Sequence, residues 1–74
     1  MMANYILIPG ANGRIGLNSV KNFLKKGYYV IAVDKDISKL KKMNSKLLIT
    51  YKIDLSREAN IKKLFKKISS YKNK

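Results

Sequence analysis

Seven consecutive residues, Gly10-Ala11-Asn12-Gly13-Arg14-Ile15-Gly16, set a glycine at every third position, directly after an apolar run and directly before a helical pattern. Small residues at such a junction suit the binding of a phosphate group. Gly10 permits a tight turn, Gly13 lets the backbone approach a pyrophosphate with no Cβ in the way, and Gly16 lets the next helix pack closely. The helix N-terminus then offers unpaired N–H groups and the positive end of its dipole. Asp34 ends the next apolar run, eighteen residues after Gly16. A carboxylate about 20 residues beyond such a loop is placed to accept hydrogen bonds from ribose hydroxyls. The competing reading is plainer: glycines mark turns everywhere, and aspartates often cap loops.

The elements that must position these residues alternate along the chain. Residues 3–8 (ANYILI) read as a buried strand closed by Pro9-Gly10, and Arg14 to Lys26 as a helix with Ile15, Val20, Phe23 and Leu24 on one face. Gly27 stands where a helix-ending glycine belongs. Tyr28 to Val33 (YYVIAV) forms a second strand, Ile37 to Met43 a short helix, and Leu47 to Ile53 (LLITYKI) a third strand. Ser56 is the expected N-cap of a last helix, with Glu58 in its first turn. That helix buries a stripe of Ile61, Leu64, Phe65, Ile68 and Tyr71, and turns Lys62, Lys63, Lys66 and Lys67 to solvent. Strand–helix alternation implies a parallel sheet with right-handed crossovers. The fold class is therefore α/β: a Rossmann-like, three-layer βαβαβα half, spanning residues 1–74 as one domain.

Composition narrows the chemistry. The 74 residues contain neither cysteine nor histidine, which excludes disulfides, thiolate or imidazole metal sites and histidine-activated nucleophiles from this chain. No metal site is expected. No apolar run reaches the ~20 residues of a membrane span, and no basic segment precedes an apolar one near the N-terminus, so the expected compartment is the cytoplasm. The formal net charge of +13 raises a polyanion as partner. Only two of the seventeen basic residues are arginine, the residue favoured for bidentate recognition of phosphate and bases, and nucleic acid is accordingly disfavoured.

With the glycine loop and Asp34 in register, the chain resembles the short-chain dehydrogenase/reductase superfamily. Asp54-Leu55-Ser56, after the third strand, matches the D-[VLI]-[ST] segment that borders the adenine in that family. The resemblance covers essentially all of the chain, but only the first part of a family member. Its GxxGxxG spacing is similar to the extended or atypical branch, which includes sugar-nucleotide epimerases and dehydratases. Two departures stand out: Pro9 replaces the usual threonine, and Arg14 falls where the GxxxGxG spacing of other members has its middle glycine. The resemblance implies that Gly10, Asn12, Gly13, Arg14, Ile15 and Gly16 line the pyrophosphate. It sets Asp34 and Lys35 at the ribose, and Asp54 and Leu55 at the adenine. Asp34 repels a 2′-phosphate, so NAD is the expected cofactor and NADP the less favoured one, although Lys35 beside it weakens that preference.

The family's catalytic Tyr-x-x-x-Lys pair is not found: position +4 from Tyr5, Tyr28, Tyr29 and Tyr51 holds Pro9, Ala32, Val33 and Leu55. No catalytic residue is assigned. The first strand is central in a full sheet of this kind, so without a fourth strand it becomes an apolar edge. That edge is expected to seek the missing C-terminal half or a second copy, and the isolated chain is not expected to be a stable monomer. The leading functional reading is a dinucleotide-binding module, truncated or split from an oxidoreductase or epimerase. The alternatives are a basic polyanion-binding interaction protein and a non-functional gene remnant.

Overall fold

A computed structural model describes the backbone of residues 4–72 and the side chains of residues 4–69. The element order is β1 (Tyr5–Pro9), α1 (Arg14–Lys25), β2 (Tyr29–Asp34), a single 3-10 turn (Leu40–Lys42), β3 (Leu48–Lys52) and α2 (Glu58–Lys72). Three parallel strands stand in the order β1-β2-β3, with Leu7 opposite Ile31 and Ile31 opposite Ile49. Both crossovers step in the same direction, so right-handed connections carry α1 and the 3-10 turn over one face. The chain leaving β3 then puts α2 on the other.

Side-chain alternation builds a core on each face. Ile8, Val30 and Ala32 join Val20 of α1 with Ile37 and Leu40, while Ile31 and Val33 meet Leu64 of α2. β2 is covered on both faces, which is why residues 30–33 are all buried and read as an unbroken apolar run. Gly27 has φ +85 and closes α1 as expected. Pro9 causes no loss within the sheet. The Asn4 carbonyl accepts from the Tyr29 N–H at 2.8 Å, so alternation turns the proline nitrogen away from β2.

Four expectations need correction, the first being Ile15, which is 83% exposed and does not share the packed face of Val20, Phe23 and Leu24. The helix expected over Ile37–Met43 is one 3-10 turn, because Asx turns at Asp34 and Asp36 occupy its start and too few residues remain to offset helix nucleation. Ser56 does not cap α2: its hydroxyl donates to Asp54 Oδ1 at 2.6 Å, and the helix starts at Glu58. Phe65 is not core. Leu64 is 2% exposed and centred on the sheet, whereas Phe65, about 100° further round the helix, is 60% exposed. The Tyr71 side chain lies outside the described residues. Lys62, Lys63, Lys66 and Lys67 are solvent-exposed as expected, and no described helix is long and apolar enough to cross a membrane.

Candidate functional site

The carboxyl ends of all three strands lie along one edge of the sheet, with the glycine loop after β1 leading there into α1, and this edge is where open α/β sheets bind their ligands. The chain leaves β1 through Gly10, whose φ of +62 is the left-handed conformation that favours glycine. The Ala11 N–H then donates to the Val33 carbonyl at 3.2 Å and the Gly13 N–H to the Gly10 carbonyl at 3.2 Å, which folds the loop onto β2. Gly13 is the N-cap of α1, with φ −77 and ψ 167. No side chain caps this helix and its first turn holds no acidic residue. Its positive end therefore lacks a side-chain cap, and the carboxylate fixed against this loop is that of Asp34, which accepts the Asn12 N–H.

Gly10, Gly13 and Gly16 are glycine for different reasons. A Cβ on Gly16 would lie 2.3 Å from the Gly10 carbonyl oxygen and 2.7 Å from Ala11 Cα, so α1 can sit against the loop only without a side chain there. A Cβ on Gly13 would meet nothing closer than that same oxygen, at an ordinary 3.5 Å. Its backbone angles suit any residue. Neither a positive φ nor close packing requires glycine at position 13, where glycine is also a favoured N-cap residue.

Asp34 ends β2. Its Oδ2 accepts the Asn12 N–H at 3.0 Å and its Oδ1 the Asp36 N–H at 3.3 Å, so the carboxylate plane is fixed against the glycine loop. The Ile53 N–H donates to the Asp34 carbonyl at 3.0 Å and ties in the end of β3. Asp54 follows. Its carboxylate is held below its ordinary range by the Ser56 hydroxyl and then by the Ser56 N–H, at 2.6 and 3.0 Å. It is fully ionised at neutral pH. The Asn60 side chain donates to the Asp54 carbonyl at 3.0 Å and fixes the turn into α2.

A cavity of about 280 Å³ opens here, lined by Gly10, Val33, Asp34, Lys35, Ile53, Asp54 and Leu55. Five of these are residues that the sequence singled out. Arg14 and Ile15 stand outside the cavity on the first turn of α1, exposed, Ile15 at 83%. Asn12 is buried beneath the loop. Val33 and Ile53, which also line the cavity, were missed, although each directly precedes an aspartate at a strand end. Val33 is fully buried, so the half-buried Ile53 and Leu55 are the cavity's accessible apolar side chains. A larger groove of about 540 Å³ lies further along α1, against residues 43–45, and contains none of the signature residues. It has the greater volume, but the smaller cavity has the convergent polar groups, and it is the better candidate. Among the described residues no cluster of acidic side chains could hold a metal ion.

A family model described as "NAD dependent epimerase/dehydratase family" matches residues 6–71. The chain is similar to a solved 4-hydroxyisoleucine dehydrogenase complexed with NADH, at 35% identity and a TM-score of 0.82. It is also similar to a mutant of such a dehydrogenase complexed with NADH and succinate, at 34% identity and a TM-score of 0.80. Each match covers 93% of this chain and 29% of the solved one, so the chain spans less than a third of their length. A comparison with curated proteins finds no match.

Proposed function

Because this chain belongs to the NAD dependent epimerase/dehydratase family, we propose that it binds NAD at the carboxyl end of its sheet, holding the adenosine half and the pyrophosphate. The observation that carries this reading is the convergence of Gly10, Asp34, Lys35, Asp54 and Leu55 on one cavity beside an uncapped helix start. In this arrangement the first turn of α1 and Arg14 offset the pyrophosphate charge, and Gly13 leaves it room. The ribose hydroxyls donate to Asp34, and the adenine lies against Ile53 and Leu55. The solved dehydrogenases that resemble the chain are NADH complexes, which favours the same cofactor here. The bound nicotinamide group would supply hydride chemistry. This chain offers no Tyr-x-x-x-Lys pair to act on a substrate, so its own part is to bind and orient. Nicotinamide dinucleotides are intracellular, and the cytoplasm is the proposed location.

Calorimetric titration of the wild type and Gly13→Ala with NAD tests this reading. The alanine meets only one atom, at 3.5 Å, and as an N-cap it should cost no more than about 1 kcal/mol of stability. Lost backbone contact to a charged phosphate should weaken NAD by about tenfold or more. Equal affinity in a folded variant would count against a pyrophosphate at this loop.

The proposal extends to a protein partner. β1 has β2 on one side and, among the described residues, no strand on the other. Leu7 and Pro9 direct their backbone groups toward that open side, by the alternation that turns Ile6 and Ile8 to β2. An apolar edge of this kind invites a further strand, supplied by the remainder of a longer protein or by a second copy. Light scattering of the isolated chain should show association; a monodisperse 8.5 kDa species with a cooperative melt would refute it.

A further inference from the structure

Asn12 stands in the middle of the glycine loop, yet its polar groups turn inward. It is 8% exposed, the one buried polar side chain among the described residues. Its Oδ1 accepts the Lys39 N–H at 2.9 Å and the Leu40 N–H at 3.2 Å, across 27 and 28 residues of sequence. Two N–H donors require an acceptor, which settles which end of the amide faces them. Its backbone N–H donates to Asp34 Oδ2 at 3.0 Å. One residue thus joins the glycine loop, the Asp34 carboxylate and the segment that follows β2. That segment is anchored otherwise by the apolar side chains of Ile37 and Leu40.

We propose that Asn12 is a positioning residue for cofactor selection: by bridging the glycine loop to Lys39 and Leu40, it fixes the Asp34 carboxylate that discriminates a free ribose from a 2′-phosphorylated one. This rests on the reading of Asp34 as the ribose acceptor given above. The physical argument concerns the neighbour, Lys35, which is exposed and lines the same cavity. While the segment is clamped, Asp34 holds its place and repels a 2′-phosphate. Once released, the carboxylate can swing aside, and Lys35 becomes the group that a 2′-phosphate meets. The side chain of Asn12 acts through Asp34 and does not itself touch the ligand.

The test compares the full chain with Asn12→Ala and Asn12→Asp, measuring NAD and NADP affinities and amide hydrogen exchange at residues 39 and 40. Asn12→Ala removes the acceptor. With both hydrogen bonds lost, exchange at both amides should accelerate, and the preference for NAD over NADP should fall about tenfold. Asn12→Asp keeps an oxygen in place, so both amides should stay protected and the preference should remain at or above that of the wild type. Faster exchange in Asn12→Ala with an unchanged preference would make Asn12 merely structural and overturn the proposal. Unchanged exchange would overturn it too. Should Asn12→Ala fail to fold, Asn12→Asp decides: a retained preference with protected amides supports the clamp, and a lost preference refutes it. A wild type that binds neither dinucleotide removes the underlying reading and the proposal with it. A wild type that prefers NAD beside an Asn12→Ala chain with the same preference removes the proposal alone.

Discussion

Gly16→Ala is expected to remove a large share of the chain's folding stability. The added methyl group would sit 2.3 Å from the Gly10 carbonyl oxygen and 3.0 Å or less from two backbone atoms of Ala11. None of those atoms belongs to a flexible side chain that could give way. Relief requires α1 to lift from the loop, which would open the contact of Val20 with Ile8, Val30 and Ala32. Overpacking of a tight core commonly costs about 1–3 kcal/mol and occasionally more; with backbone as the obstacle, about 3 kcal/mol is expected. A chain of this length is worth roughly 4–11 kcal/mol in total, and such a loss lowers Tm by about 12–24 °C. Circular dichroism melts of the wild type, Gly16→Ala and Gly13→Ala provide the comparison. A Gly16→Ala melt within a few degrees of wild type would show that the helix does not need its close approach.

The second large effect concerns Asp34. In Asp34→Ala the ribose loses its acceptor, and hydrogen bonds to a charged group are worth about 1.5–3 kcal/mol. NAD should therefore weaken by roughly tenfold to a hundredfold, while NADP, relieved of like charge and still beside Lys35, should weaken less or gain. The substitution also leaves the N–H groups of Asn12 and Asp36 without their acceptor. Asp34→Asn separates these contributions in part: it removes the charge and keeps one acceptor oxygen, for either the Asn12 or the Asp36 N–H but not for both. Titration of both variants with both dinucleotides checks the assignment. Unchanged affinity for each would mean that Asp34 is a loop cap and nothing more.

These two positions also show what could be read from the chain before any coordinates. The alternation of strand and helix was legible because each strand is a short apolar run with a turn signal at its end, and because β2 is covered on both faces. Gly10 and Gly16 were legible as a motif, and the structure supplies separate causes, a positive φ for one and a carbonyl oxygen in the way of a Cβ for the other. The segment after β2 was not legible: Asx turns at Asp34 and Asp36, with Leu40 drawn down into the core, outweighed a helical pattern only seven residues long. Phe65 was misassigned because an amphipathic stripe gives the direction of the core and not the width of the surface covering it. The side-chain bonds of Asn12 join residues 27 and 28 positions apart, and no local pattern carries such a contact.

The central claim is a working half-site for NAD at the carboxyl end of the sheet. A two-dimensional amide NMR titration of the full chain with NAD tests it most directly, because it reports on the glycine loop, Asp34 and Asp54 at once. The predicted result is a dispersed spectrum in which Gly10, Gly13, Asp34 and Asp54 move on addition of NAD, while amides around the groove of Lys21, Lys25 and Asn44 stay in place. A dispersed spectrum in which those four amides do not move would contradict it.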